Sequence, residues 1–128
     1  MREFNPLNEL EWSLLAAKEN KISVEIFLRQ LARSVLALPT AKEVQEDGSG
    51  FEPVFFNKLG TSMLAVFTDK TRVSLFVNIA GYCLLMNGLE VLRRMPPGCG
   101  LVVNPGLVVG FELPPEGIAK IVQDMAIY

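Results

Sequence analysis

The sequence predicts an α+β domain in which one mostly antiparallel sheet of five or six strands carries N-terminal helices and a C-terminal helix. Two patterns support this prediction. Leucines recur at helical spacing near the N-terminus, and short Val-rich runs bounded by Gly and Pro, which are typical of buried strands, fill the C-terminal half. The 128 residues suffice for one core, so we expect residues 1–128 to form a single domain.

Composition and charge narrow the classes of function. Half of the residues are hydrophobic, the net charge is −2 and the isoelectric point is about 5.2. This balance gives no electrostatic reason to expect a nucleic acid or an anionic membrane surface as partner. No stretch approaches the ~20 apolar residues of a membrane span, and the first residues lack the basic-then-apolar order of a signal peptide. We therefore expect a cytoplasmic protein.

The sequence contains no histidine, and this absence limits the chemistry. It excludes Ser-His-Asp and Cys-His nucleophile systems, histidine metal sites and histidine acid–base catalysis. Cys83 and Cys99 do not have a familiar metal-ligand spacing, and in a reducing compartment they should be free thiols. We expect no catalytic residue, no metal and no cofactor. That the protein is an enzyme that uses carboxylates or a thiol is the weakest of our three hypotheses on function, and the other two are given at the end of this section.

Two helices are predicted at the N-terminus. Asn5 is the predicted cap of the first, with Pro6 at its first position and an apolar face that comprises Leu7, Leu10, Leu14 and Ala17. Ser23 is the predicted cap of the second, whose buried stripe comprises Val24, Phe27, Leu28 and Leu31. We expect the two helices to pack as a hairpin or an L.

The middle of the chain predicts strands at residues 35–38, 51–59, 61–68 and 82–86. Gly60 joins the second and third as a hairpin, and the continuous apolar run of the third indicates a central strand covered on both faces. Residues 40–50 are charged and end in Gly-Ser-Gly, which predicts an exposed, mobile loop. Thr68 or Asp69 is the predicted cap of a short helix that ends near Phe76. A loop follows at residues 79–81, and another helix is predicted at residues 89–95.

The C-terminal part predicts strands at residues 101–103 and 107–113, joined by the turn Asn104-Pro105-Gly106. Pro105 sets φ for the second position of a type II turn, and Gly106 accepts the positive φ that the third position requires. The closing helix starts at Pro114-Pro115 and presents an apolar stripe of Ile118, Ile121, Val122 and Met125. We expect Val66 and Val102 to be deeply buried, and Cys83 to lie in the core.

The motifs of the C-terminal half come in a recognisable order. Val66-Phe67-Thr68-Asp69 ends a strand, the run from Pro97 to Gly106 contains the Asn-Pro-Gly turn, and Phe111-Glu112-Leu113 precedes the final helix. This order resembles the N-terminal domain family of the bacterial enhanced serine sensitivity protein SseB, over residues 14–124. The resemblance implies the same fold. It implies no catalytic residues, because the family has none established to carry over.

Three groups of polar residues are candidates for a binding site. Thr68 and Asp69 place a hydroxyl and a carboxylate at a strand end. The turn Asn104-Pro105-Gly106 offers an amide and backbone N–H groups to a polar ligand. A third group, in the exposed loop, is a candidate cation site: Glu43, Glu46 and Asp47. A helix cap, a tight turn and a solvated loop explain the same residues without a ligand, and these readings are favoured.

The first hypothesis is a non-catalytic protein-interaction or regulatory domain of the SseB type in the bacterial cytoplasm. Its partner is a protein of unknown identity, and a homodimer is one way to cover part of an apolar surface. The alternative is a secretion-chaperone-like dimer that holds an extended peptide of an exported protein. The predicted order of elements is close to that of such chaperones, but the helices at residues 24–32 and 89–95 are additional and argue against it.

Overall fold

The structure, a computed structural model, describes residues 4–76 and 81–125. Its helices are α1 (Glu9–Lys18), α2 (Val24–Arg33), α3 (Gly88–Arg93) and α4 (Pro115–Met125), with a short 3-10 helix at Lys70–Phe76. Its strands are β1 (Val35–Thr40), β2 (Phe55–Lys58), β3 (Thr61–Val66), β4 (Tyr82–Asn87), β5 (Gly100–Val103) and β6 (Phe111–Leu113). Within these residues, no helix combines the length and the apolar character that crossing a membrane requires.

The strands form two sheets, so the prediction of a single sheet is wrong, although the α+β class is confirmed. One sheet has the order β2-β3-β5-β6, in which β3 and β5 are parallel and the other pairs antiparallel. The other is an antiparallel ribbon of β1 and β4. Isolated bridges between Ala37 and Phe67 and between Thr40 and Pro53 connect the ribbon to the larger sheet.

The separation of the ribbon has two physical causes. β2 pairs with β3 as far as Leu64, and Ala65 N donates to Val54 O, so this edge of β3 is occupied up to Ala65. β1 therefore meets this edge only at Phe67, just beyond the end of β3. In addition, Pro39 of β1 has no N–H to donate toward the larger sheet. The parallel β3–β5 pair was also not predicted. It is allowed because the 3-10 helix, β4 and α3 provide the long crossover that parallel strands need.

Burial in the larger sheet follows the prediction for one valine and contradicts it for the other. Residues 63–66 of β3 are all buried, which confirms a central strand covered on both faces. Val66 is fully buried, but Val102 is only half-buried. Val102 pairs with Glu112, so the two side chains share a face, and the exposed Glu112 shows that this face is partly open to solvent.

The closing helix α4 packs as predicted, with Ile118, Ile121 and Met125 buried. The N-terminal helices agree less well with the prediction. α1 is capped by the side chain of Asn8, which accepts from Glu11 N, so the predicted cap at Asn5 is wrong and Leu7 is exposed. In α2, Val24 is exposed because it is the first residue of the helix, whereas the rest of the predicted stripe is buried: Phe27, Leu28 and Leu31.

The turn after β5 has the predicted geometry. Leu107 N donates to Asn104 O at 3.1 Å, and Gly106 has φ of +81°. The loop at residues 40–50 is mostly exposed, as expected, and its mobility stays a prediction. Thr40 departs from the expectation, because it belongs to β1 and is fully buried, with its Oγ1 accepting from Glu52 N at 2.8 Å.

Both cysteines are free thiols, as predicted. The prediction that Cys83 lies in the core is wrong, because Cys83 is exposed on the outer side of β4 opposite Pro39. Neighbouring protein atoms still partly desolvate its sulfur, and this desolvation raises the pKa of the thiol above its usual value. The predicted loop at residues 79–81 lies, apart from Gly81, outside the described residues.

Candidate functional site

A buried polar cluster joins α1 to the turns that follow β3 and β5. Its central side chains are Glu11, Thr68 and Asn104, none of them more than 1% exposed. Thr68 and Asn104 meet because β3 and β5 run parallel, and the C-terminal ends of parallel strands lie at the same edge of a sheet. α1, which lies much earlier in the sequence, packs over this edge and contributes Glu11. The topology therefore assembles the cluster from distant parts of the chain.

Asn104 connects the two strand ends. Its Oδ1 accepts from Thr68 N at 3.0 Å, and its Nδ2 donates to Thr68 Oγ1 at 2.9 Å and to Val109 O at 3.3 Å. Its backbone has φ of +55°, a left-handed conformation that asparagine tolerates better than most residues. Asn104 N also donates to Val66 O at 2.9 Å. The side-chain amide and the backbone N–H of this Asn are therefore hydrogen-bonded within the protein.

Glu11 forms a buried ion pair with Arg72 of the 3-10 helix. Arg72 Nη2 donates to Glu11 Oε1 at 2.7 Å, and Arg72 Nε donates to Glu11 Oε2 at 3.1 Å. The carboxylate also accepts from Leu7 N at 2.9 Å and from Thr68 Oγ1. The guanidinium of Arg72 lies 4.5 Å from the centre of the Phe4 ring, a cation–π contact. This arrangement fixes the segment before α1 against the 3-10 helix.

The hydrogen bonds decide the charge state of the cluster. Burial alone raises the pKa of Glu11, but the hydrogen bonds from Arg72, Thr68 and Leu7 and the positive charge of Arg72 outweigh it and leave that pKa below the usual value. Asp69, which accepts from Thr71 N at 2.9 Å, has its pKa lowered mainly by this backbone hydrogen bond. Both carboxylates are therefore ionised at neutral pH.

The cluster is suited to holding segments together. Among the described residues, every buried side-chain nitrogen or oxygen has a hydrogen-bond partner, and a carboxylate paired with an arginine is a poor base. In the same part of the chain, no group of three Cys, Asp or Glu side chains is arranged to hold a metal ion. That the protein is not an enzyme stays a prediction.

The structure brings together some of the predicted site residues and separates others. Thr68 and Asn104 are in direct contact, and Asp69 caps the neighbouring 3-10 helix. Pro105 and Gly106 shape the turn at the surface. The third group of candidates lies apart from these residues, in the exposed loop, and comprises Glu43, Glu46 and Asp47. In this loop Asp47 Oδ1 accepts a hydrogen bond from Ser49 N at 2.9 Å.

Sequence reasoning missed Glu11 and Arg72. For Glu11 a signal was available, because Leu7, Leu10, Glu11 and Leu14 have the i, i+3, i+4, i+7 spacing of one helix face. An acidic residue within an apolar face predicts a buried, paired carboxylate. For Arg72 the local sequence contains no comparable signal, since its burial depends on where α1 lies.

A cleft of about 500 Å³ opens beside the cluster. Asn8, Thr68 and Asp69 contribute to its lining on the side of the cluster, and Val35 and Leu85 contribute from the β1–β4 ribbon. The other residues of the lining are Glu9, Leu10, Gln30, Arg33, Ser34, Ala37 and Lys70. Neither the Asn104-Pro105-Gly106 turn nor the acidic loop residues belong to it. The cleft therefore connects the buried polar cluster with an exposed apolar surface.

The apolar surface beside the cleft lies on the β1–β4 ribbon. Val35 is 58% exposed and Leu85 is 53% exposed, and their side chains lie on the same face of the ribbon. Tyr82 is exposed as well, on the opposite face. Residues 82–86 of β4 read Tyr-Cys-Leu-Leu-Met and contain no charge and no proline. Within residues 4–76 and 81–125, β4 pairs with β1 along one edge, and no strand pairs with its other edge. We call this the outer edge of β4.

The hydrogen bonds of Ala37 show which backbone groups face outward. Ala37 exchanges two backbone hydrogen bonds with Phe67, at 2.9 and 2.8 Å, so its N–H and C=O point away from β4. Backbone groups alternate along a strand, and those of Leu36 and Leu38 therefore face Met86 and Leu84 of β4. The N–H and C=O groups of Cys83 and Leu85 consequently point to the outer edge.

Comparison with protein families identifies the family of the chain. The model of the SseB protein N-terminal domain matches residues 10–120. The chain belongs to the SseB N-terminal domain family. This match confirms the resemblance inferred from the motifs, and it includes both strand-end motifs of the SseB domain and the Glu11–Arg72 pair. Comparisons with curated proteins and with solved structures gave no match.

Proposed function

We propose that this SseB-family domain is a non-catalytic protein-interaction module that binds a partner segment in extended conformation along the outer edge of β4. The observation that carries the proposal is the apolar, uncharged sequence at that edge, with the N–H and C=O groups of Cys83 and Leu85 directed outward. Edge strands usually carry charges, prolines or bulges that prevent pairing with other chains. β4 carries none of these over residues 82–86.

The surroundings of the edge fit an extended peptide. An added strand forms main-chain hydrogen bonds with the edge and places alternate side chains on the two faces of the ribbon. On one face it would meet the exposed apolar side chains of Leu85 and Val35 and the adjoining cleft. The cleft lining contains Arg33 and Lys70 as well as Glu9 and Asp69, so charged side chains of either sign would find a partner there.

The buried cluster has a supporting role in this proposal. Its carboxylate, hydroxyl and amide groups are used in hydrogen bonds within the domain, which fix α1 and the 3-10 helix beside the cleft. The cluster thereby keeps one side of the cleft rigid. The free thiols and the acidic balance agree with action in the cytoplasm, a reducing compartment.

The second candidate is the secretion-chaperone-like dimer that holds an extended peptide of an exported protein. The outer edge of β4 is also the observation that favours this function, because such a peptide would pair with it in the same way. The helices α2 and α3 remain additional to the chaperone order. The identity of the partner separates the candidates: an exported protein supports the chaperone function, and a resident cytoplasmic protein supports the interaction module.

The proposal is tested with two surface variants, Leu85→Lys and Val108→Lys. Leu85 lies on β4 and is 53% exposed, and Val108 lies outside the cleft and is 62% exposed, so both lysines can be solvated without unfolding. Each variant and the wild-type protein serve as bait in extract of the native cell. The partners are identified by mass spectrometry, and their affinities are then measured with purified components.

A partner that binds the wild type and Val108→Lys equally, and Leu85→Lys at least about tenfold more weakly, supports the proposal, since a charge at an edge strand opposes pairing. Equal affinity for all three proteins would show that the outer edge of β4 is not the binding surface. Thermal melts of the three proteins check that each of them is folded.

A further inference from the structure

The outer edge of β4 is complementary to itself in the antiparallel direction. If two copies pair about a two-fold axis at Leu84, Cys83 lies opposite Leu85 of the partner subunit, and Tyr82 lies opposite Met86 of the partner subunit. All five pairs over residues 82–86 are apolar. Cross-strand pairs of aromatic and aliphatic side chains stabilise a sheet, whereas opposed like charges destabilise it. This register contains no opposed charges.

The hydrogen-bonding groups also match in this register. The outward residues of β4 are Cys83 and Leu85, as the orientation of Ala37 requires. Antiparallel strands exchange N–H···O=C bonds between directly opposite residues that both face the neighbouring strand. Cys83 opposite Leu85 of the partner subunit satisfies this rule, and the symmetry axis repeats the pair. Four backbone hydrogen bonds would join the two ribbons into one four-stranded sheet.

The neighbouring register about Leu85 is less favourable. It places the polar Asn87 opposite Cys83 of the partner subunit, and it places Tyr82 opposite Gly88 of the partner subunit, where the strand has ended and α3 begins. Asn87 already has a local function, because its Oδ1 accepts from Leu89 N at 3.0 Å and caps α3. The register about Leu84 uses the apolar part of the strand and leaves this cap outside the contact.

We infer that the partner of the outer edge of β4 is a second copy of this chain, paired antiparallel about a two-fold axis at Leu84. The inference rests on the proposed function, because it names the occupant of the same edge. A contact of five residues with the flanking Val35 is smaller than a permanent dimer interface, so the dimer should be weak and reversible. This affinity permits exchange between self-association and other partners.

The first test is the oligomeric state, measured by sedimentation equilibrium from low micromolar to near-millimolar concentration. The wild type and Val108→Lys should dimerise with equal dissociation constants. Leu85→Lys should raise the dissociation constant by about tenfold or more, because it places a charge in the centre of the new sheet. A wild type that stays monomeric throughout, or three equal dissociation constants, would overturn the inference.

The second test reads the register by cross-linking. Directly opposite hydrogen-bonded residues have Cα atoms ~5.5 Å apart, which a disulfide can span. Under mild oxidation, Leu85→Cys should give a covalent dimer through Cys83 of one copy and the introduced thiol of the other. The double variant Cys83→Ser/Leu85→Cys should stay monomeric on a non-reducing gel. Covalent dimer in the double variant, or none in the single variant, would overturn the register.

The outcomes separate this inference from the proposed function. If the wild type is monomeric but Leu85→Lys loses a partner from the cell extract, the second-copy inference is wrong and the edge still binds protein. If Leu85→Lys changes neither dimerisation nor partner binding, both are wrong.

Discussion

Arg72 donates hydrogen bonds to both carboxylate oxygens of Glu11, although the two residues are 61 positions apart. The carboxylate has no solvent exposure, and the distances are 2.7 and 3.1 Å. A buried charge is costly unless it is paired and hydrogen-bonded. The pair therefore commits α1 and the 3-10 helix to one relative position, beside the cleft that adjoins β4.

Removal of the Arg72 side chain should destabilise the domain strongly. Arg72→Ala leaves the Glu11 carboxylate buried without its cation, and breaking such a pair costs about 3–5 kcal/mol. Arg94→Ala is the matched control, because Arg94 pairs with Glu90 at 3.4 Å on the exposed surface, where a pair contributes ~1 kcal/mol or less. Urea unfolding measures both free energies. Similar losses would show that the buried pair is not needed for folding.

The Glu11 carboxylate should make stability depend on acid pH. Its pKa is lower in the folded protein than in the unfolded chain, so the unfolded state takes up the proton first as pH falls. This contribution is complete above the unfolded pKa of ~4.3 and is lost as pH falls through the folded value. The difference in unfolding free energy between wild type and Glu11→Gln should therefore stay constant from pH 7 to about pH 5 and shrink as pH falls below about 4.3. A difference that stays constant over the whole range would contradict the ion pair.

Local signals predicted much of the fold correctly. The closing helix was recognised from the spacing of Ile118, Ile121 and Met125, and the turn at Asn104-Pro105-Gly106 from the φ preferences of proline and glycine. Each of these features depends on a few adjacent residues. The closing helix and the turn can therefore be predicted without knowledge of the rest of the chain.

The pairing of β1 was not predictable from local pattern. Its position depends on competition for one edge of β3, which β2 wins up to Ala65, and on the missing N–H of Pro39. The parallel pairing of β3 with β5 likewise depends on the path of the intervening crossover. Without the prediction of this pair, the meeting of Thr68 with Asn104 could not be predicted either. Sequence patterns therefore singled out Thr68 and Asn104, but they predicted neither the contact between these two residues nor the participation of Glu11.

The turn after β5 should be sensitive to a β-branched residue. Gly106 has φ of +81°, and valine resists positive φ, so Gly106→Val should cost about 1–3 kcal/mol. Gly81→Val is the control, because Gly81 has no positive φ and nothing lies within 4 Å of an added Cβ at either position. Chemical denaturation compares the two. If both variants lose the same free energy, the turn conformation is not the cause.

Truncation of a buried side chain in the closing helix should lower the free energy of unfolding. Ile121 is buried, and Ile121→Ala should cost about 2–5 kcal/mol through lost burial and the cavity it leaves. Val108→Ala removes an exposed side chain and should change stability by less than ~0.5 kcal/mol. The same denaturant melts report both values. A small loss for Ile121→Ala would mean that α4 does not pack on the sheet in solution.

Amide hydrogen exchange along β4 shows whether the outer edge of this strand binds an extended chain through its backbone. In dilute protein, the amides of Leu84 and Met86, which face β1, should exchange slowly, and those of Cys83 and Leu85 should exchange fast. Raising the concentration, or adding a captured partner, should slow exchange at Cys83 and Leu85. If a complex forms while the amides of Cys83 and Leu85 continue to exchange as in the dilute protein, the outer edge of β4 is not the surface that binds.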